Sequence, residues 1–293
     1  MTRDHRPSPP PKPAQVGLAD IYRFGYRVAL KSFGAGHSKD ALRMLLEPCN
    51  YWRNVEVPAV LSELDVRPGE RVLDVGSPKL PSLYLCYRSG AEVFATDLFP
   101  YFFDEYSHYV ARLGAPPAGA AYRMEAQDAR ALPYPDAHFD KVYAISVVEH
   151  IEDLGDSQAM REMARVLKPA GLCSLTVPFD HAYRETTISH EIYFKKPSDG
   201  QPVFYQRHYD PEALQVRLVQ PSGLSLAKLE YFEERWLGYE RYYSLLNRFV
   251  RIPFSLLGPV FSRLFLRRVD LHPPRRAKAA LLTLRKPEGP TRG

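Results

Sequence analysis

Short apolar runs alternate with longer amphipathic stretches through the middle of the chain, and this alternation predicts the fold. Strand-like runs occur at 71–75 (RVLDV), 92–96 (EVFAT), 121–125 (AYRME), 141–146 (KVYAIS) and 172–177 (LCSLTV). Helix-like runs lie between or after them, at about 80–89, 101–113, 156–167 and 210–220. Strands alternating with helices of this length predict βαβ units around a parallel sheet buried on both faces. Two later strand candidates, 225–232 and 279–285, lack such regular connections and are candidates for an antiparallel edge. Upstream, LADIYRFGYRVALKSF places Ile21, Phe24, Val28 and Leu30 on one helical face. Ser38 caps a second short helix through Leu46, and a third runs from Val55 to Leu64 before the turn Arg67-Pro68-Gly69. The predicted organisation is a Pro-rich disordered tail (1–16), a helical cap (17–54), an α/β domain (55–286) and a short tail (287–293). Two insertions, 179–209 and 236–278, interrupt the domain.

Composition narrows the class. With 45% apolar and 25% charged residues among 293, the chain has ample core material, which excludes wholesale disorder. Its three cysteines, Cys49, Cys86 and Cys173, form no CxxC pair, so neither a disulfide framework nor a metal site is indicated. The first 15 residues carry five prolines and lack the apolar core of a signal peptide. The charge-free apolar stretch from Ile252 to Ser262 is too short to span a bilayer. A cytoplasmic protein is therefore expected.

The net charge of +5 is unevenly spread. Residues 14–240 sum to −7, whereas 241–286 hold eleven basic side chains against Asp270 alone. The basicity thus belongs to one segment.

In open parallel sheets, ligands bind beyond the C-terminal strand ends, where strand order reverses. The predicted strand ends carry Asp74-Val75-Gly76-Ser77-Pro78, Asp97, Gln127-Asp128-Ala129 and Ser146-Val147-Val148-Glu149-His150. A dinucleotide fingerprint would need glycines at 76, 78 and 81, but Pro78 and Pro81 occupy the latter two. A dehydrogenase is disfavoured. Asp97, twenty-one residues after Gly76, is nonetheless placed to accept hydrogen bonds from a ribose diol.

The ordered set RVLDVGS (71–77), VFATDLF (93–99), EAQDARALPYPDAHFDKVYAISVVEHI (125–151) and MREMARVLKPAGLCSLTVP (160–178) resembles the class I S-adenosylmethionine-dependent methyltransferases. The resemblance covers roughly Val55 to Val177, with a weaker echo at 207–226. It implies a Rossmann-like α/β fold with a seven-stranded, mostly parallel sheet, helices on both faces and an antiparallel last strand. It further implies S-adenosyl-L-methionine as cofactor. Asp97, followed by Leu98, would hold the ribose, and Asp128 with the Ala129 amide would face adenine. Asp74, Gly76 and Ser77 would line the methionine portion, and Ser146 would lie beside the sulfonium. The chain departs from the family's glycine-rich first turn at Pro78 and Leu80, where bulk replaces close backbone approach. Lys79 adds a cation expected to pair with the ligand's carboxylate.

Candidate bases for a hydroxyl acceptor are His208 and His181, near the ends of the first insertion, and His150 after the fourth strand; His190 lies within the insertion. The aromatic content of 179–210 suits an apolar small-molecule acceptor, lipid-linked or a cell-envelope sugar. Residues 242–268 interleave Phe and Leu with Arg248, Arg251, Arg263, Arg267 and Arg268, broken by Pro253 and Gly258-Pro259. An anionic membrane surface, or a packed cap or dimer contact, fits this pattern better than nucleic acid. Two functions stay open: a methyltransferase peripheral at the inner membrane face, or a catalytically silent binding module of the same fold.

Overall fold

The computed structural model describes residues 15–34, 36–189, 201–235, 256–270 and 272–288. Three helices lead into the sheet: α1 (Leu18–Ser32), α2 (Ser38–Leu46) and α3 (Arg53–Leu64). The strands are β1 (Arg71–Val75), β2 (Glu92–Asp97), β3 (Ala121–Ala126), β4 (Phe139–Ile145), β5 (Leu167–Pro178), β6 (Arg184–Ile188), β7 (Val203–His208), β8 (Ser225–Glu234), β9 (Leu266–Asp270) and β10 (Ala277–Arg285). Between them lie α4 (Lys79–Tyr84), α5 (Phe103–Leu113) and α6 (Gly155–Val166). A helical run, α7, passes through Pro211–Ala213, Leu214–Val219 and Gln220–Ser222, and α8 is Gly258–Phe265.

Eight strands form one sheet in the order β3-β2-β1-β4-β5-β10-β8-β9, and the first five are parallel. Strand β10 inserts antiparallel between β5 and β8, so the final pair is internal rather than an edge. The sheet gains an eighth strand, β9, which pairs with β8 from within the second insertion. Its signal was weak because LRRVD alternates only partly and exposes two arginines at the sheet edge.

The parallel strands are buried on both faces, which is why they read as near-continuous apolar runs. One core, with Val72, Val93, Tyr143 and Leu281, packs under α1, α3, α4 and α5. The other, with Leu73, Val142, Leu175 and Leu282, packs under α6 and α7. Ile21, Phe24 and Val28 of α1 are buried in the first core, as their shared face predicts, whereas Leu30 is exposed. The N-terminal helices are thus continuous with the sheet's own core.

The first insertion forms a separate antiparallel ribbon, β6-β7. A bridge between Phe179 and Tyr209 holds its two ends side by side. Buried Arg207 anchors the ribbon through Ile151 O, Asp153 O and the Glu185 carboxylate, at 3.2 Å from the last. Residues 1–14 of the tail expected at 1–16, His190, and residues 236–255, with Arg248, Arg251 and Pro253, lie outside the described residues.

Candidate active site

Strand order reverses between β1 and β4, and a cleft of about 720 Å³ opens beyond the C-terminal ends of β1, β2, β3 and β4. That volume lies within the range of small-molecule sites, about 300–1,000 Å³. One wall comes from the strand ends and another from the helices α2 and α3.

Gly76 forms the floor. It follows β1 at φ +66°, and its N–H donates to Thr96 O at 2.9 Å. A Cβ here would lie 2.6 Å from Val147 Cγ1, so the turn after β1 fits against the turn after β4 only without a side chain. Ser77 does not reach the cleft. Its N–H donates to Asp74 Oδ1 at 3.0 Å and its Oγ accepts from Ile145 N at 2.8 Å, pinning the turn to β4.

Asp74, last but one in β1, and Asp97, which ends β2, lie on adjacent parallel strands with Lys79 between them. Lys79 Nζ donates to Thr96 O at 2.8 Å and stands 3.6 Å from Asp74 Oδ2 and 3.8 Å from Asp97 Oδ2. The expectation that Lys79 pairs with a ligand carboxylate is therefore corrected, because two protein carboxylates and a carbonyl already hold its ammonium. Burial pushes the Asp74 carboxyl up to about 6 against the opposing pull of Lys79 and Ser77. Burial likewise raises Asp97, opposed by Lys79 and by the N–H groups of Phe99 and Leu98. Asp97 and the exposed Leu98 line the cleft, whereas Asp74 lies fully buried beneath it.

Asp128 and Ala129 also line the cleft. The Asp128 carboxylate is engaged by Arg130, whose Nη2 donates to Oδ2 at 2.7 Å and whose Nε is 3.0 Å from both oxygens. These bonds hold Asp128 below the usual carboxylate range. A ligand amino group at this position must share that carboxylate with Arg130.

Ser146 closes β4 at φ +49°, a left-handed conformation costly for a non-glycine residue. Its Oγ accepts from Arg53 Nη1 at 2.7 Å and lies 3.4 Å from Glu56 Oε1; Arg53 also pairs with Glu56. Arg53 and Glu56, both in the first turn of α3, are absent from the sequence-based candidates. They precede the sheet by almost twenty residues, and only the packing of α3 over the strand ends brings them to Ser146.

The three candidate histidines separate. His150 lines the cleft, and its Nδ1 is 2.9 Å from Tyr205 O, so that nitrogen carries the proton because a carbonyl only accepts. His181 and His208 are corrected: neither is among the cleft's lining residues. The bridge at Phe179 and Tyr209 directs the insertion's ends toward β10, where His181 Nε2 is 3.2 Å from Pro274 O and from Arg275 O. His208 Nε2 meets Gln206 at 3.1 Å, and burial lowers the imidazole to about 4.

Glu149 lies beside His150, 3.8 Å from its Nε2, fully buried and with neither carboxyl oxygen hydrogen-bonded among the described residues. Burial raises it from an ordinary 4.5 to about 8, opposed by its own backbone N–H and Arg53. The folded chain therefore keeps this carboxyl protonated where the unfolded chain has ionised it, and stability falls as pH rises from about 4.5 to about 8. Glu149→Gln removes that dependence. Melting temperatures of variant and wild type should nearly coincide at pH 5, with the variant higher by roughly 5 °C at pH 8.5. A gap independent of pH would contradict the assignment.

Residues 73–175 match the methyltransferase domain family, a span running from β1 to β5 through every strand end of the cleft. That span carries a methyltransferase domain, similar to those of the class I S-adenosylmethionine-dependent methyltransferases. Among curated relatives of this methyltransferase domain, methyltransferase GfsG of Streptomyces halstedii is 38% identical over 111 residues, which are 37% of this chain and 37% of that protein. Demethylmenaquinone methyltransferase of Mycolicibacterium paratuberculosis is 33% identical over 145 residues, 46% of this chain and 54% of that protein. The chain thus spans between about a third and about half the length of the curated relatives it matches. Among solved structures, the YcgJ protein of Bacillus subtilis superposes with a TM-score of 0.50 at 16% identity, covering 80% of this chain and 99% of that one. A chain of the complex between the Haloferax volcanii Trm112 methyltransferase activator and a methyltransferase gives 0.51 at 15% identity, covering 89% and 98%. At such identities the structures speak for the shared fold.

Proposed function

We propose that the chain is an S-adenosylmethionine-dependent methyltransferase acting on an apolar or lipid-linked acceptor. The observation that carries this reading is the cleft's mixed lining. Asp97, Gly76 and Ser146 line it at the strand ends of a methyltransferase domain, and Phe99, Tyr101, Phe102, Tyr106 and Tyr205 line the same cleft. Such a lining suits a ring-bearing acceptor with little polar surface. Demethylmenaquinone methyltransferases among the relatives support the same acceptor class.

The residues present fit the cofactor. A side-chain-free turn at Gly76 and the Asp97 carboxylate both line the cleft. When bound, S-adenosylmethionine supplies a methyl group already activated on a sulfonium, so transfer is an in-line displacement helped chiefly by alignment. Asp97 would accept from the ribose hydroxyls, while Ala129 and the shared Asp128 carboxylate would border the adenine. Ser146, fixed by Arg53 and Glu56, would border the reacting carbon. Of the three candidate histidines, His150 alone lines the cleft and would take the acceptor's proton, its Nδ1 proton being engaged by Tyr205 O.

Helix α8 supports an acceptor drawn from a lipid surface. Its Phe261 and Phe265 pack toward Tyr51, Trp52 and Val55 beside the cleft, whereas Leu256, Leu257, Val260 and Leu264 are exposed together with Arg263 and Arg267. Arg268 is not part of that surface, because it pairs with Glu63 at 2.5 Å and also with Glu230. Among the described residues no helix is long and apolar enough to cross a membrane. The exposed apolar and basic side chains suit interfacial attachment. Sedimentation with anionic liposomes should be salt-sensitive and should fall severalfold in an Arg263→Ser/Arg267→Ser variant; equal sedimentation of the two would count against it.

The direct test incubates the protein with methyl-labelled cofactor and separate lipid and aqueous metabolite extracts. Label in the lipid fraction is the expected outcome. Label only in aqueous products would overturn the acceptor class, and none in either, with cofactor binding intact, would favour a silent binding module.

A further inference from the structure

The ion cluster under the cleft goes beyond what methyl transfer itself requires. Lys79 is only 2% exposed, and its single ammonium is divided between carboxylates on two adjacent strands. Two neighbouring carboxylates without a cation cannot both ionise easily, and burial already pushes each of these upward. A protonated Asp97 would lose acceptor capacity, and a ribose diol requires acceptors. Position 79 begins α4 directly after Pro78, whose φ of −51° leads into the helix.

We propose that Lys79 is a positioning residue for nucleoside recognition, holding Asp97 ionised and fixed at the cleft while Asp74 competes for the same ammonium. This rests on the reading of the cleft as the S-adenosylmethionine site. It assigns a role to the side chain that follows the altered glycine turn: the turn lacks the usual backbone approach, and a buried charge secures the ribose-binding carboxylate instead. Electrostatics within the cluster then make opposite predictions for its two other members. Removing the ammonium leaves the carboxylates to share a proton, whereas neutralising Asp74 gives Asp97 the whole of Lys79.

The other titratable groups around the two carboxylates are the phenols of Tyr122 on β3 and Tyr143 on β4. Burial raises both far above neutrality, so neither changes charge in the range probed. On its own turn Asp97 meets only the N–H groups of Leu98 and Phe99, the latter at 3.2 Å.

The test is the affinity for S-adenosylhomocysteine, the demethylated product, measured by calorimetry from pH 5 to 9 on the full chain. Lys79→Gln can still donate to Thr96 O but carries no charge, and Asp74→Asn keeps the lysine. In Lys79→Gln the pH below which affinity declines should move up by about 1–3 units. Binding would then be about tenfold weaker than wild type at pH 6 and would converge with it at pH 9. In Asp74→Asn the same limb should move down. A ligand lacking the ribose diol, 2′,3′-dideoxyadenosine, should show neither shift. Profiles that superimpose, or that move in the same direction in both variants, overturn the proposal while the methyltransferase reading stands. If Lys79→Gln fails to fold, Asp74→Asn against wild type decides alone: a downward shift supports the proposal and an unmoved limb overturns it. Absence of binding by the wild type at every pH overturns both.

Discussion

Asp97→Ala is expected to weaken S-adenosylhomocysteine binding by about 100-fold while leaving the fold intact. The carboxylate ends β2 and lines the cleft, with Lys79 Nζ 3.8 Å from its Oδ2. Hydrogen bonds to a charged acceptor contribute about 1.5–3 kcal/mol each, and a ribose diol donates two of them. Even the lower end of that sum corresponds to roughly a hundredfold in affinity. Stability should hardly change, because burial already disfavours this carboxylate and Lys79 retains Thr96 O and Asp74 as partners. Asp97→Asn, which keeps one acceptor and the shape, should lose about tenfold. The wild-type affinity should weaken in acid as Asp97 protonates, and both variants should lack that dependence. Calorimetry, with melting curves as the control for folding, separates these outcomes; an Asp97→Ala variant that binds like wild type would remove this residue from the site.

Gly76→Ala is expected to lower the melting temperature by roughly 10 °C and to abolish cofactor binding. Two costs combine. At φ +66° any L side chain is strained by about 1–2 kcal/mol, and a Cβ 2.6 Å from Val147 Cγ1 forces two packed turns apart at about 1–3 kcal/mol. Val147→Ala in the same chain removes the contacting methyl but not the strain, so it should recover about half of the stability loss. Full recovery would assign the glycine requirement to packing alone. No recovery would assign it to the backbone.

Much of the fold was legible because parallel strands buried on both faces announce themselves as apolar runs, as RVLDV and LCSLTV do. The antiparallel insertion of β10 could not be read from periodicity, since pairing partners are a matter of topology; the family resemblance supplied it. Strand β9 escaped notice because only Leu266 of its five residues is buried. At the site, Asp97, Gly76, Ser146 and His150 were legible as residues that follow strands, and all four reach the cleft. Arg53 and Glu56 were not, because no local pattern marks a helix that folds over a distant strand end. His181 and His208 failed for the complementary reason. Their nearness to the sheet in sequence says nothing about which side of it the β6-β7 ribbon occupies. Lys79 was recognised as unusual, but its partner was misjudged, since Asp74 and Asp97 converge on it only when β1 and β2 pair in register.

The central claim is that this cleft, despite its altered first turn, binds S-adenosylmethionine through Asp97. Calorimetric titration of the unmodified chain with S-adenosylhomocysteine at pH 7.5 tests it most directly. The account predicts saturable binding at one site per chain, competed by S-adenosylmethionine. Absence of binding with ligand at about 1 mM, a free energy weaker than about −4 kcal/mol, would contradict it.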